Sequence, residues 1–178
     1  GSAVHATITN TAATGTLTVA NGTIAGGDEI TLAGSGAITV TGLAADLVAT
    51  TATGAVTVTA VDDVLIATGT GATTITQADT FTAAVNAEAL ADGTLLTTKG
   101  AGSFTITNLL GNLTNEATGT VLVTLDDDES GSAVNATITN TAATGTLTVA
   151  NGTFAGGDEI TLAGSGAITV TGLAADLV

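Results

Sequence analysis

The chain has 178 residues, of which 44% are hydrophobic, and 16 acidic residues against one basic residue give it a formal net charge of −15. A chain this acidic favours cations or basic partners and is poorly suited to nucleic acid or an anionic membrane surface. The lack of cysteine excludes a disulfide framework. No apolar run approaches the roughly 18 to 20 residues that cross a bilayer, so we expect no membrane insertion.

The opening segment of the chain occurs twice. Residues 1–48 return as residues 131–178 with two differences, His5 against Asn135 and Ile24 against Phe154. Near-identity at a fixed offset indicates a tandem array. We therefore interpret residues 1–130 as one full repeat and residues 131–178 as the start of the next. We expect them to belong to a longer protein in which each repeat contacts the next one in the chain.

A shorter rhythm runs inside the repeat, in which a glycine precedes an alternating run of threonine and aliphatic residues. The threonines and aliphatics of each run point to opposite faces of a strand. Further short strands are predicted at Ala6–Thr9, Glu29–Ala33, Val64–Ala67 and Leu95–Thr98. The glycines are Gly15, Gly36, Gly54, Gly71, Gly102, Gly119, Gly145 and Gly166.

The composition and this rhythm together predict an all-β protein. There are 41 threonines and no Trp, Tyr, Pro or Met, and threonine, valine and isoleucine favour half-buried strands. Most glycine steps suit a parallel β-solenoid with coils of about 17–22 residues, each holding two or three strands in a right-angled or triangular section. The alternative is a tandem series of antiparallel β-sandwiches, one per repeat.

The step from Gly71 to Gly102 is longer than any other in the series, and we call it the long step. Within it, Thr80–Leu90 is the one stretch with a pattern compatible with a short helix, with Asp79 as its N-cap and Asp92 and Gly93 at its end. A further irregular coil is the alternative.

The run GTLTVANGTIAGGDEITLAGSGAITVTGLAADLVATTATGAVTVTA resembles the Thr/Gly/Ala-rich tandem repeats of very large secreted bacterial surface proteins, such as hemolysin-type or RTX-like adhesins and surface-layer proteins. The resemblance implies an exported structural or adhesive protein at the bacterial cell surface, and some such proteins bind calcium. The calcium nonapeptide GGxGxDxUx is not present, because the stretch Gly26-Gly27-Asp28 lacks its spacing.

The acidic residues are the candidate metal ligands. Calcium is bound by several carboxylate or carbonyl oxygens on a flexible loop, so the sequence predicts Ca²⁺ ligands at Asp126, Asp127 and Asp128, and at the turn pairs that contain Asp28, Asp62 and Asp63. The alternative is that these acids are solvated turn residues.

The sequence offers few residues that could support catalysis. The single histidine, His5, is Asn135 in the other copy, and a nucleophilic mechanism needs a positioned base. We expect a structural rod, in a filament, surface layer or adhesin stalk, that pairs with neighbouring repeats and self-associates into fibres or layers. The alternative is a binding module, either a calcium-dependent β-sandwich adhesin or an ice-binding solenoid that uses its Thr-x-Thr runs.

Overall fold

The computed structural model describes residues 3–22, 24, 27–78, 80–126, 134–154 and 157–178. These ranges contain strands joined by turns, and no helix. The strands are β1 His5–Thr9, β2 Thr16–Ala20, β3 Glu29–Gly34, β4 Ala37–Leu43, β5 Asp46–Ala52, β6 Val56–Ala60, β7 Val64–Ala67, β8 Thr73–Gln77, β9 Thr82–Asn86, β10 Leu95–Gly100, β11 Ser103–Leu109, β12 Asn112–Asn115, β13 Thr120–Leu125, β14 Asn135–Asn140, β15 Thr146–Ala150, β16 Glu159–Gly164, β17 Ile168–Thr171 and β18 Asp176–Leu177.

The strands form two parallel sheets. The odd-numbered strands, β1 to β17, make the first sheet, and the even-numbered strands, β2 to β18, make the second. Each strand pairs in parallel with the strand two places along the chain, so the chain winds as a β-solenoid with one strand per sheet in each coil. The predicted solenoid is confirmed, with two strands per coil, the lower of the two predicted numbers. The antiparallel sandwich is wrong, and the two sheets do not form the predicted triangular or right-angled section.

The core lies between the two sheets. Alternate residues of each strand point inward, for example Ile30 and Leu32 on the first sheet and Ile38 and Val40 on the second, and all four are at most 1% exposed. Burying one such aliphatic side chain is worth about 1.5–3 kcal/mol. One hydrophobic cluster runs from Ile30 in the first copy to Ile160 in the second, so the repeat boundary does not divide the core.

Coil length varies more than the predicted range of about 17–22 residues. The ladder partners Thr120 and Thr146 lie further apart in the chain than the partners Glu29 and Asp46, and their separation exceeds the upper end of the predicted range. The strands paired in these coils have five to seven residues, so strand length does not account for the difference. A solenoid tolerates this because loop length costs little once the ladder is formed.

The glycine rhythm corresponds to corners of the solenoid where successive coils pass very close. A Cβ added at Gly54 would lie well under 3.0 Å from the carbonyl oxygen of Gly36, and one at Gly71 equally close to that of Gly54. Gly102 and Gly119 are stacked in the same way. The glycines are therefore required at these corners because any side chain would push neighbouring backbones apart.

The predicted helix at Thr80–Leu90 is wrong, because the segment forms strand β9 and a turn. Its inward residues, Ala83 and Val85, are buried, and Leu90 in the following turn is also buried. Backbone pairing with both β7 and β11 outweighs the helix propensity of the alanines. Asp79, the proposed N-cap, lies outside the described residues.

The long step is one and a half coils. Gly71 precedes β8 in the second sheet, whereas Gly102 precedes β11 in the first. Among the described residues, thirteen strands precede β14, the copy of β1, and they make six and a half coils. The second copy is therefore half a turn out of phase with the first, since β1 lies in the first sheet and β14 in the second.

Candidate functional site

The predicted ligand Asp28 hydrogen-bonds a neighbouring coil. Its Oδ1 accepts a hydrogen bond from the backbone N–H of Val4 at 2.8 Å. The equivalent Asp158 accepts one from Val134 at 3.0 Å. A short carboxylate at a turn readily accepts backbone N–H groups, and the same geometry in both copies indicates that this carboxylate fixes the start of a strand.

Asp62 and Asp63 lie in the turn before β7. The Oδ1 of Asp63 accepts a hydrogen bond from the N–H of Thr82 at 2.7 Å, and the Oδ1 of Asp62 accepts one from Asp63 itself at 2.8 Å. Asp46, at the start of β5, accepts one from the N–H of Leu65 at 3.0 Å. Asp46 was not among the predicted residues, although its position directly before the apolar residues Leu47 and Val48 is a signal for the same role.

Asp126 follows β13 and is half-buried. Its Oδ1 accepts a hydrogen bond from the hydroxyl of Thr153 in the second copy, so it ties the two copies together. Asp127 and Asp128 lie outside the described residues. Within the ranges that the structure describes, no three or more histidine, aspartate or glutamate side chains are grouped to hold a metal ion. The calcium site stays a prediction.

His5 lies on the outer face of the first sheet. Its Nδ1 is 3.8 Å from Glu29 Oε1, and its side chain is 66% exposed. Glu29 is the cross-strand partner of His5 in the β1–β3 ladder. In the second copy Asn135 pairs with Glu159 at the same place, so the pairing of strands does not depend on the imidazole.

A shallow groove of about 350 Å³ lies on the outer face of the first sheet, across β5, β7, β9 and β11. Two alanines, Ala67 and Ala84, line it beside Leu65, which is 60% exposed. Glu29 and Asp46 also line it. The groove arises because small residues replace the larger outward residues of neighbouring strands.

The outer face of the second sheet carries a column of threonines in register. Thr18 pairs with Thr39, Thr39 with Thr57, and Thr57 with Thr74, on the adjacent strands β2, β4, β6 and β8. A second column is less regular, because a register shift at Gly42 separates Thr41 from Thr59. The Thr-x-Thr runs at Thr7–Thr9 and Thr105–Thr107 lie instead on the first sheet.

A row of polar side chains crosses the repeat boundary inside the core. The hydroxyl of Thr98 donates to Asn115 Oδ1 at 2.8 Å, and Asn115 Nδ2 donates to Asn140 Oδ1 at 3.0 Å. Asn115 and Asn140 are each 2% exposed. Buried amides are stable only when they are hydrogen-bonded, so this row fixes which coil follows which. Sequence reasoning missed it, because a lone asparagine at the end of a strand reads as a turn residue.

Comparison of the chain with models of protein families, with characterised proteins and with solved structures gives no match in any of the three. Across the described ranges there is no helix of the length and apolarity needed to traverse a membrane.

Proposed function

We propose that the chain is a segment of a structural rod in a tandemly repeated, exported bacterial surface protein, such as a filament, a surface layer or an adhesin stalk. The observation that carries the proposal is the pairing of strands across the repeat boundary. β12 pairs with β14 and β13 with β15, in parallel and in register. Successive repeats thus share both sheets and one core instead of being joined by a linker.

A shared ladder is what a stiff rod requires. Beads on flexible linkers bend at each linker, whereas a solenoid bends only by straining the contacts between neighbouring coils. Each repeat of six and a half coils adds about 31 Å at ~4.8 Å per coil. The resemblance to secreted repeat proteins supports placing this rod outside a bacterial cell.

Solution scattering tests the rod. The chain and a version lengthened by one further full repeat are compared. We expect the maximum dimension to grow by ~31 Å with an unchanged radius of gyration of the cross-section. Spin labels at Thr16→Cys and at its copy in the added repeat give the end-to-end distance, since the chain has no other cysteine. A broad distance distribution would indicate flexible joints and would overturn the proposal.

A second candidate function is ice binding, and the column Thr18, Thr39, Thr57 and Thr74 favours it. These four threonines lie in register on adjacent strands, and the ladder continues with Thr97, Thr114 and Thr139. The column places methyl and hydroxyl groups at a regular spacing of ~4.8 Å. Thermal hysteresis of the chain is the measurement. We expect Thr57→Lys to abolish it and Thr105→Lys, on the other sheet, to leave it intact. A chain without measurable hysteresis would remove this candidate.

A further inference from the structure

The two copies show one sequence in two environments. In the second copy, β14 and β15 are covered by β12 and β13. In the first copy, the same residues of β1 and β2 form an open surface, which we call the β1–β2 edge. Val4 is 50% exposed and its equivalent Val134 is 1% exposed, while Leu17 is 37% exposed and its equivalent Leu147 is 2% exposed.

The backbone of this edge also has room for another coil. A Cβ added at Gly145 would lie 2.5 Å from the carbonyl oxygen of Thr118 in the covering coil, whereas one at Gly15 would meet nothing within 4 Å. The pair Gly152 and Gly22 shows the same contrast, with the Leu125 carbonyl as the neighbour of Gly152. The space above the glycines of the edge is therefore free for the backbone carbonyl groups of a preceding coil.

One polar group points to the identity of that coil. Asn140 Oδ1 accepts hydrogen bonds from Ala142 N–H at 3.2 Å and from Asn115 Nδ2 at 3.0 Å. Asn10 Oδ1 accepts the equivalent bond from Ala12 N–H at 3.1 Å. Among the described residues it receives no amide in the place of Asn115. A coil equivalent to β12 supplies that donor.

We propose that the β1–β2 edge is a docking surface for a second copy of this repeat, which binds through its own strands equivalent to β12 and β13. This inference rests on the proposed rod and names its partner. The interface is already formed once inside the chain, so the docked copy continues the same two ladders. Unpaired strand edges and half-exposed aliphatic side chains favour such an addition. Docking rotates the incoming copy by half a turn relative to its neighbour, because β1 lies in the first sheet of its own copy but pairs with the equivalent of β12, which lies in the second sheet.

The test uses a chain lengthened to two full repeats by adding a copy of residues 49–130 after Val178. This chain begins with the β1–β2 edge and ends with strands equivalent to β12 and β13. We expect it to associate end to end, with a rise of ~62 Å per chain in electron micrographs. Association should strengthen with salt, because each copy is strongly acidic and salt screens the repulsion.

The unextended chain is a matched competitor. It has the β1–β2 edge at one end, but its last strands, β17 and β18, are copies of β4 and β5. We expect it to bind the growing end and to shorten the filaments when mixed at equal concentration. Filaments of unchanged length would contradict a specific edge.

Val4→Asp in the lengthened chain is the decisive variant, because docking would bury the new carboxylate. We expect at least a ~100-fold weaker association by analytical ultracentrifugation. Leu17→Lys should act likewise. Thr16→Asp is the control, since Thr16 and its equivalent Thr146 are both exposed, and it should associate as the parent chain does. Circular dichroism checks that each variant is folded.

Two results would overturn the docking surface: no association at any salt concentration, or association that Val4→Asp leaves unchanged. Either is distinguishable from failure of the rod. Scattering from the lengthened chain, diluted until it is monomeric, still reports a rod of ~62 Å if the proposed function holds, and a flexible or wider particle if it does not.

Discussion

Substitution of a corner glycine tests how closely successive coils pack. Gly54 is a suitable position, because the atoms nearest to it belong to the backbone of the preceding coil. A Cβ at this position would lie well under 3.0 Å from the carbonyl oxygen of Gly36 and 2.6 Å from that of Ser35. Ordinary carbon–oxygen contacts are about 3.3 Å or longer. Both obstacles are backbone atoms, so Gly54→Ala forces two coils apart instead of displacing a flexible side chain.

The expected cost has two parts. Overpacking of a well-packed site costs about 1–3 kcal/mol. Opening the corner also strains the hydrogen bond from Thr53 N–H to the Gly34 carbonyl, 2.9 Å long, and losing it would cost about 1 kcal/mol. We expect Gly54→Ala to lower the free energy of unfolding by about 3 kcal/mol, which corresponds to a fall of about 6–12 °C in melting temperature for a chain of this length.

Gly93→Ala is the matched control. Gly93 has a φ of +70° and open space around its Cβ position, so its substitution costs only the ~1 kcal/mol of the left-handed conformation. Urea denaturation followed by far-ultraviolet circular dichroism measures both variants, since the chain has no Trp or Tyr for fluorescence. A cost at Gly54 equal to or below that at Gly93 would refute the tight stacking of coils.

Three other measurements follow from the contacts described above. Asn140→Ala should destabilise the chain by about 1–3 kcal/mol more than Asn10→Ala, because only the former leaves a buried amide of the preceding coil without its acceptor; equal losses in urea denaturation would show that this amide contact contributes nothing. Asp63→Asn keeps an oxygen acceptor for the next strand and should leave stability unchanged, whereas Asp63→Ala should cost about 1 kcal/mol; equal stability of the two variants would argue against the hydrogen bond. If the predicted calcium site is present, chelation lowers the melting temperature and Asp126→Asn reduces that difference, whereas an unchanged melting temperature in millimolar calcium would contradict the site.

Much of the fold follows from the sequence, because strand alternation and corner glycines are both local signals. β2, β4, β6 and β8 each follow one of the repeating glycines, and the predicted strand at Val64–Ala67 has the bounds of β7. Sequence reasoning missed β5, its copy β18, β9 and β12, none of which has a glycine followed by an alternating run of threonine and aliphatic residues. They become strands because the coils on either side offer ladder partners, which is a tertiary effect that local propensity does not contain.

The length of the long step indicates a change of sheet, but this was not recognised from the sequence. The steps on either side of it, Gly54 to Gly71 and Gly102 to Gly119, are equal and each match one coil. The long step is too long for one such coil and too short for two. One and a half coils move the glycine series from one sheet to the other, as Gly71 and Gly102 do. The helix interpretation treated the long step as an exception to the coil spacing instead of as one and a half coils.

The candidate site was predictable only in part. The positions of Asp28 and Asp63 at turns were correct, but their hydrogen bonds run to residues 24 and 19 positions away, and such distant partners cannot be read from local sequence. The buried contact between Asn115 and Asn140 joins two different coils and escaped for the same reason.

The odd number of strands per repeat has a consequence for anything that touches the rod from one direction. A receptor or a flat support on one side of the rod contacts a given surface patch only in every second repeat, at intervals of ~62 Å. The same patch in the intervening repeats faces the opposite side. Sequence differences between neighbouring repeats therefore become differences between the two faces of the rod. His5 lies on one side, and Asn135, which replaces it, lies on the reverse.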